Sequence, residues 1–359
     1  MRLAAPYEMD AAVAHALAQI AAQAGEADSG GRSLEPDMML LGRAGVLRTL
    51  CDARTAPEIL VTILRRIGRA SLSVGRLVEG HMNALKLIAR YGSAEQKHRY
   101  QSAHDRLFGV WGADGALPVR LQPNGDGSAT LDGEKRFASG LGVLHFAIVS
   151  AATELGTQLA IVRADDKARA DASGWKTSGM RATASGVYSM RGLEAELLGG
   201  PGDYEREPFF QGGVWRYAAL HVGALEAIAE AVRRAVVDQG GGAEAPQLHR
   251  LARLTTRAHS ARLLVEDAAR RVEAPGAGPL AVALALAARE AVEEACLDGI
   301  AIADRALGTR SFIEGYPVER IRRDLAFFLR QADLDGKLSQ VGVAVLVADH
   351  GVGELWSDE

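Results

Sequence analysis

Apolar residues recur at helical spacing in the first third of the chain and again after residue 214. Between residues 56 and 69 they return every three or four positions, which places them on one face of a helix: Ile59, Leu60, Ile63, Leu64 and Ile67. The same pattern predicts helices over 11–24, 73–91, 94–103, 214–238, 246–273, 280–307, 317–331 and 336–348. Thr55 and Ser93 are expected to be N-caps of the helices that follow them.

Between about residues 108 and 210 the pattern changes to short segments rich in β-branched residues, separated by Gly, Pro, Asp and Asn. Residues 128–131, 146–149 and 159–163 are predicted strands. The sequence therefore predicts an α+β protein that is mostly helical, with a middle sheet that is not parallel. Its predicted parts are a helical domain at 1–107, a β domain at 108–212 and a helical bundle at 213–359.

The composition excludes several classes of protein. Hydrophobic residues are 48% and charged residues 24% of the 359 positions, as in ordinary globular proteins. The net charge of −4 argues against a nucleic-acid-binding protein, which would carry a basic surplus. Cys51 and Cys296 are far apart in the sequence and form no CxxC motif, so we predict neither a disulfide framework nor a metal site.

The location and assembly of the protein are also constrained by the sequence. Glu8 and Asp10 stand where an export signal would be basic and then apolar. The longest strongly apolar stretch, 280–288, is far shorter than the ~20 residues that span a bilayer. We therefore expect a cytoplasmic protein without a membrane segment. Because the same stretch is too apolar for a solvent-facing helix, we also expect a homodimer or homotetramer formed through the C-terminal bundle.

Five segments resemble, in chain order, motifs of the acyl-CoA dehydrogenase family. They are residues 87–97, 131–140, 179–188, 197–202 and 316–325, the last reading Tyr-Pro-Val-Glu-Arg-Ile-Arg-Arg-Asp-Leu. The resemblance spans nearly the whole chain. It implies an N-terminal helical domain, a β-barrel-like middle domain and a C-terminal four-helix bundle. It also implies an acyl-CoA substrate and an FAD held where the domains meet, with contacts shared between subunits.

The resemblance assigns flavin-contacting positions in the β domain. Phe137 corresponds to an aromatic wall beside the flavin ring, and Ser139 keeps a hydroxyl that can reach a ring nitrogen. Trp111 stands where the family has a hydroxyl residue, and it either stacks on the ring or fills the pocket. The alternative interpretation is that Phe137 is a core residue and Ser139 a turn residue at the end of a strand.

A second set of cofactor positions follows from the resemblance in the C-terminal bundle. Residues 239–243 lack the Arg and Phe that hold the FAD diphosphate in the family. Arg305, Gly308 and Thr309 correspond to another cofactor-binding turn, and Arg305 is the cation that would replace the missing arginine. The alternative interpretation is that residues 239–243 form a flexible loop and that Arg305 is a solvated helix arginine.

The usual catalytic glutamate is absent from both of its family positions, which correspond here to Ala332 and Trp215. Dehydrogenation needs a carboxylate that removes the proton α to the thioester carbonyl. Asp333, one residue beyond the first position, and Glu79 are therefore the two candidate bases. Glu79 and Arg216 are also candidate substrate-binding residues. The alternative for Asp333 is a surface position. The alternative for Glu79 is a helix-packing hydrogen bond, and the alternative for Arg216 is a structural ion pair.

Three functions remain open at this point. The first is an acyl-CoA dehydrogenase-like flavoprotein, an oxidoreductase acting on the CH–CH group of an acyl thioester. The second is a flavin-dependent monooxygenase of the same fold, of the dibenzothiophene-monooxygenase type, which needs no glutamate base. The third is a catalytically degenerate, non-enzymatic subunit with a weak or empty flavin site.

Overall fold

The computed structural model describes residues 10–101, 105–238, 244–330 and 333–357, and everything below refers to these ranges. Six helices come first, a β region follows, and five helices complete the chain. The helices are α1 Ala11–Asp28, α2 Glu35–Arg43, α3 Val46–Cys51, α4 Pro57–Ala70, α5 Leu72–Tyr91, α6 Ala94–Gln101, α7 Trp215–Asp238, α8 Ala245–Val272, α9 Pro279–Leu307, α10 Pro317–Phe328 and α11 Leu334–Val347. This order confirms the predicted mostly helical α+β class.

Two helix starts test the predicted caps. Ser93 forms a reciprocal capping box with Gln96: the Gln96 N–H donates to Ser93 Oγ at 3.1 Å, and the Ser93 N–H donates to Gln96 Oε1 at 3.0 Å. The prediction for Thr55 was wrong. Ala56 is the N-cap of α4, and the Thr55 hydroxyl donates to the carbonyl oxygen of Thr49 at 2.8 Å, which ties the loop back to α3.

The β region contains two sheets. Its strands are β1 Phe108–Trp111, β2 Arg120–Pro123, β3 Ser128–Asp132, β4 Glu134–Ala138, β5 Phe146–Thr153, β6 Gly156–Arg163, β7 Ala170–Asp171, β8 Gly186–Ser189 and β9 Leu193–Leu198. The larger sheet has the order β1-β5-β6-β9-β3-β2, and the smaller one β4-β8-β7. Only β1 and β5 pair in parallel among these strands; the other pairs are antiparallel, as expected for a sheet that is not of the parallel type.

The C-terminal bundle is built around α7, which packs against α4, α8, α9 and α10. Two glycines bring α4 and α7 together. A Cβ at Gly68 would overlap the carbonyl oxygen of Leu220, and a Cβ at Gly223 would overlap the carbonyl oxygen of Arg65. The backbones of the two helices therefore touch, and this contact joins the N-terminal helices to the bundle.

The apolar residues 280–288 are not left exposed for a partner subunit, as the sequence had led us to expect. This part of α9 is apolar on all sides because the chain itself buries it: Val282 to Leu286 and Ala288 are all buried against neighbouring elements of the bundle, including α7 and α8. Exposed apolar side chains lie instead on α11, namely Leu338, Val343, Leu346 and Val347. Homo-oligomer formation stays a prediction, and α11 is the bundle surface that now supports it.

None of the helices in the described ranges combines the length and the apolar character that crossing a bilayer requires.

The helices and the β region are joined through buried polar contacts. The backbone N–H of Met180 donates to Asp324 Oδ1 at 2.6 Å, and Arg320 pairs with the other carboxylate oxygen at 3.4 Å. Asp324 is almost fully buried and fixes α10 against the loop before β8.

Stability is expected to depend on pH through Asp324. Burial raises the pKa of its carboxyl from 3.8 to about 6, although Arg320 and the Met180 N–H favour the ionised form. Because the folded pKa exceeds the unfolded one, the contribution of Asp324 is greatest below pH ~3.8 and is lost as the pH rises towards 6. Urea unfolding should show the stability of the wild type, relative to Asp324→Asn, falling by about 2 kcal/mol between pH 4.5 and 7.5. A difference that does not change with pH would contradict the assignment.

Candidate functional site

A cavity of about 460 Å³ lies between α3, α5, α7 and the segment that precedes α7. Its volume is in the range of small-molecule sites. Apolar and aromatic side chains form much of its wall: Leu60, Leu87, Val110, Tyr204, Phe209, Phe210, Val214 and Tyr217. Charged side chains complete the wall, and most of them belong to two connected networks.

The first network is centred on Glu79, which is buried in the cavity wall. Arg76 donates to Glu79 Oε2, and the amide of Asn83 donates to Glu79 Oε1. Arg216 Nη1 in turn donates to Asn83 Oδ1 at 3.2 Å. Both carboxylate oxygens of this candidate base are therefore engaged, and the two predicted substrate-binding residues, Glu79 and Arg216, are linked through Asn83.

The second network contains residues that the sequence analysis missed. Glu273, directly after α8, accepts from Arg216 Nη2 at 2.9 Å and from Lys86 Nζ at 2.9 Å. Burial opposes ionisation of Glu273, but the two cations outweigh it and lower its pKa to about 2. Burial, with the nearby charge of Arg216, lowers the pKa of Lys86 to about 8. Lys86 follows Glu79 by seven positions on α5, and this spacing was the available signal.

Four buried polar side-chain atoms in the first two turns of α7 lack a hydrogen-bond partner among the described residues. They are Trp215 Nε1, Arg216 Nε, Tyr217 Oη and His221 Nε2, and Arg289 Nη1 on α9 shares this property. The rings of Tyr217 and His221 are 5.5 Å apart. Burial, aided by Arg289, lowers the pKa of His221 to about 3, and burial raises the pKa of Tyr217. The imidazole is therefore neutral and the phenol is protonated at neutral pH.

Trp215, which the resemblance assigns to one of the two family positions for the base, is completely buried. An indole has no proton-accepting nitrogen, so this position supplies no base. The other position, Ala332, lies outside the described residues, as does the segment 239–243. Asp333 is exposed at the N-terminus of α11 with φ 54°, its carboxylate is next to Gly336, and it is not part of the cavity wall. The structure thus does not bring the two candidate bases together.

The predicted flavin contacts at the end of β4 form an open aromatic surface. Phe137 is 56% exposed and has a left-handed backbone with φ 53°. Its ring meets the edge of Trp175 at 6.3 Å, and Trp175 meets Phe327 at 5.6 Å. The Ser139 hydroxyl is 2.8 Å from that of Ser185, which donates to it. An exposed aromatic plane beside an oriented hydroxyl fits a planar heteroaromatic ring such as a flavin.

Trp111 does not belong to this surface. It is 2% exposed, its ring packs on Tyr188 at 5.0 Å, and its indole N–H donates to the carbonyl oxygen of Ser139 at 3.1 Å. Of the two predicted roles, stacking on the ring is therefore not seen, because the interior of the β region covers the side chain. Trp111 positions Ser139 instead. Its neighbour Val110 points to the opposite face of β1 and lines the cavity.

The second predicted cofactor set lies elsewhere in the molecule. Arg305, Gly308 and Thr309 are exposed at the end of α9, in a turn that packs against α9 and α10. The extensive contacts of this turn are with these two helices and not with β4, the strand of Phe137. A role for this turn in cofactor binding stays a prediction.

The order of a helical domain, a β region and a helical bundle around such a cavity defines the acyl-CoA dehydrogenase fold. Residues 213–328 match the family model described as "Acyl-CoA dehydrogenase, C-terminal domain". The resemblance found in the sequence is thereby confirmed for the fold and for this part of the chain. None of the curated proteins searched matches the sequence.

Solved structures share this fold over almost the entire chain. The dibenzothiophene monooxygenase of Paenibacillus sp. A11-2 with FMN bound has a TM-score of 0.81 at 18% identity, covering 96% of this chain and 99% of that one. Methanesulfinate monooxygenase from Pseudomonas fluorescens has a TM-score of 0.80 at 18% identity, with 99% and 100% covered. Butyryl-CoA dehydrogenase from Megasphaera elsdenii has 0.79 at 16% identity, with 95% and 100% covered.

Proposed function

We propose that this protein is a flavin-dependent monooxygenase that acts on a small molecule in the cavity. One observation carries the proposal: every carboxylate of the described cavity wall is already paired with a cation. Asp52 pairs with Arg54, Glu79 with Arg76, and Glu273 with Arg216 and Lys86. A carboxylate held by a cation is a weaker base, because the cation stabilises its ionised form.

This arrangement suits oxygenation better than dehydrogenation. Dehydrogenation of a thioester requires a free carboxylate placed at the α carbon, whereas insertion of an oxygen atom has no such requirement. When bound, a reduced flavin supplies the two electrons with which O₂ yields one oxygen atom for the substrate and one for water. Two of the similar structures carry the names of monooxygenases, and one of them contains FMN.

The chain's own residues have definite parts in this proposal. Phe137 and Ser139 would hold the flavin ring, with Ser139 oriented by Trp111 and Ser185. Tyr217 would donate its unpaired hydroxyl to a polar atom of the substrate. The buried Trp215 excludes water from the region where a dehydrogenase would place its glutamate.

A second candidate is favoured by the family match over residues 213–328 and by the fold of butyryl-CoA dehydrogenase. In that case the protein would bind FAD and oxidise an acyl-CoA, with Glu79 or Asp333 as the base. Glu79 would first have to leave Arg76 and Asn83, and Asp333 would have to turn inward from the surface.

The absorption spectrum of the purified protein separates the candidates. We expect a colourless protein that binds dithionite-reduced FMN under anaerobic conditions at least tenfold more tightly than oxidised FMN. Air should then reoxidise the bound FMN at a rate distinct from that of free FMN. A yellow protein that an acyl-CoA bleaches without air would support the dehydrogenase, and a protein that binds neither form of flavin would support the non-enzymatic subunit.

Variants at the aromatic surface localise the flavin. Phe137→Ala should weaken binding of reduced FMN about tenfold, because it removes an exposed ring that a planar ligand can cover. Phe312 is a matched control, since it is 57% exposed and lies in the bundle next to Arg322. Phe312→Ala should leave the dissociation constant unchanged. Equal effects of the two substitutions would place the flavin elsewhere.

A further inference from the structure

The charged side chains in and around the cavity wall are unevenly paired. Its wall and the direct ion-pair partners of the wall contain three carboxylates, Asp52, Glu79 and Glu273. The same set contains five cations, Arg54, Arg76, Lys86, Arg90 and Arg216. Arg54 and Arg76 stand outside the wall, and they neutralise Asp52 and Glu79 from there. The wall therefore keeps Lys86, Arg90 and Arg216 against the single carboxylate of Glu273, and in a partly desolvated cavity this excess favours an anionic ligand.

Arg90 is the cation without a partner. Its guanidinium lies over the ring of Phe209, at the rim of the cavity, and no carboxylate of the described chain pairs with it. The other four cations of the set each have a carboxylate partner. A guanidinium flanked by an aromatic face presents its N–H groups in one plane, which is the geometry that binds a carboxylate or sulfonate in bidentate fashion.

Unpaired donors deeper in the cavity wall add to this preference. Tyr217 Oη and Arg216 Nε are buried and have no acceptor in the described structure. Buried donors without acceptors are costly, and a ligand with oxygen acceptors would satisfy them. Other parts of the wall are apolar, with Leu60, Leu87 and Val110 among their residues.

We propose that the cavity binds a compact organic acid, with its carboxylate or sulfonate at Arg90 and its apolar body against the hydrophobic wall. This inference rests on the proposed function only in treating the cavity as the substrate site. A volume of about 460 Å³ suits a molecule of this size, whereas coenzyme A would extend far beyond it. The phosphates of a coenzyme A thioester are the other anions that these cations could bind. The experiment distinguishes such phosphates from the acid group of a compact organic acid.

Isothermal titration calorimetry on the flavin-free protein tests the proposal. The probes are benzoate, benzenesulfonate, the neutral isostere benzamide, and free coenzyme A. We expect the two organic anions to bind at least tenfold more tightly than benzamide, and the difference to shrink as NaCl is raised because charges are screened. Equal binding of benzoate and benzamide, or no binding of either anion, would overturn the proposal. Tighter binding of coenzyme A than of benzoate would overturn it in favour of a thioester.

Two substitutions that each remove one positive charge test where the anion binds. Arg90→Gln should weaken benzoate binding about tenfold and leave benzamide binding unchanged. Arg120→Gln is the control, because Arg120 is exposed on β2 and outside the cavity wall, and it should change neither. If Arg90→Gln leaves benzoate binding as it is, the site is misassigned. Since no flavin is present, these results are independent of whether reduced FMN binds, and the two proposals can fail separately.

Discussion

Provided that the protein binds FAD, the Ala332→Glu variant is expected to oxidise butyryl-CoA at least 100-fold faster than the wild type, whose own activity should be weak or absent. Residue 332 is the position at which the family resemblance places the catalytic glutamate, and alanine has no group that accepts a proton. An effective general base contributes roughly 10²- to 10⁴-fold to such a rate. The measurement is anaerobic bleaching of the FAD absorbance by butyryl-CoA, followed over time for both proteins.

The control for this gain is Ala332→Gln, which has a similar size and polarity but cannot act as a base. It should remain as slow as the wild type. The competing assignments are tested with Asp333→Asn and Glu79→Gln in the wild-type background. Fast wild-type turnover that survives both substitutions would show that the base lies elsewhere, and it would also weaken the proposal of a monooxygenase.

The fold was predictable because its determinants are local. Helical periodicity placed α4, α5 and α9 nearly at their observed bounds, and the Ser93 capping box is a four-residue pattern. The short helices α2 and α3 were missed, since six to nine residues contain too few turns for a periodic signal. The same limit explains the error at residues 280–288: apolar periodicity shows that a helix is buried, but not whether its own chain or another copy buries it.

The site was only partly predictable because its charges are joined across the chain. Glu79 and Arg216 could be singled out by motif, yet their state depends on Glu273, which lies far from both in sequence. The role of Trp111 depends on Tyr188 and Ser139 in other strands. Arg90 could not be recognised either, since what distinguishes it is the lack of a carboxylate partner, and this becomes visible only when the wall is assembled.

The contact between α4 and α7 determines whether this wall can form at all. Both helices contribute residues to the cavity, Leu60 from the first and Arg216 and Tyr217 from the second. Their backbones touch at Gly68 and Gly223, and Arg65 pairs with Glu226 at 2.8 Å across the same interface. The separation of the two helices is therefore set by glycine, and a side chain at either position has to push them apart.

Gly223→Ala is accordingly expected to lower the free energy of unfolding by about 3 kcal/mol or more, the upper end of the usual cost of overpacking. The added methyl group would overlap the backbone carbonyl of Arg65, which cannot rotate away as a flexible side chain would. Gly25→Ala is the matched control, because Gly25 lies within α1 with open space around its Cβ position. It should stabilise the protein by about 0.5–1 kcal/mol through helix propensity alone. Urea unfolding of both variants measures the two effects, and a cost below about 1 kcal/mol at Gly223 would mean that the helices separate easily.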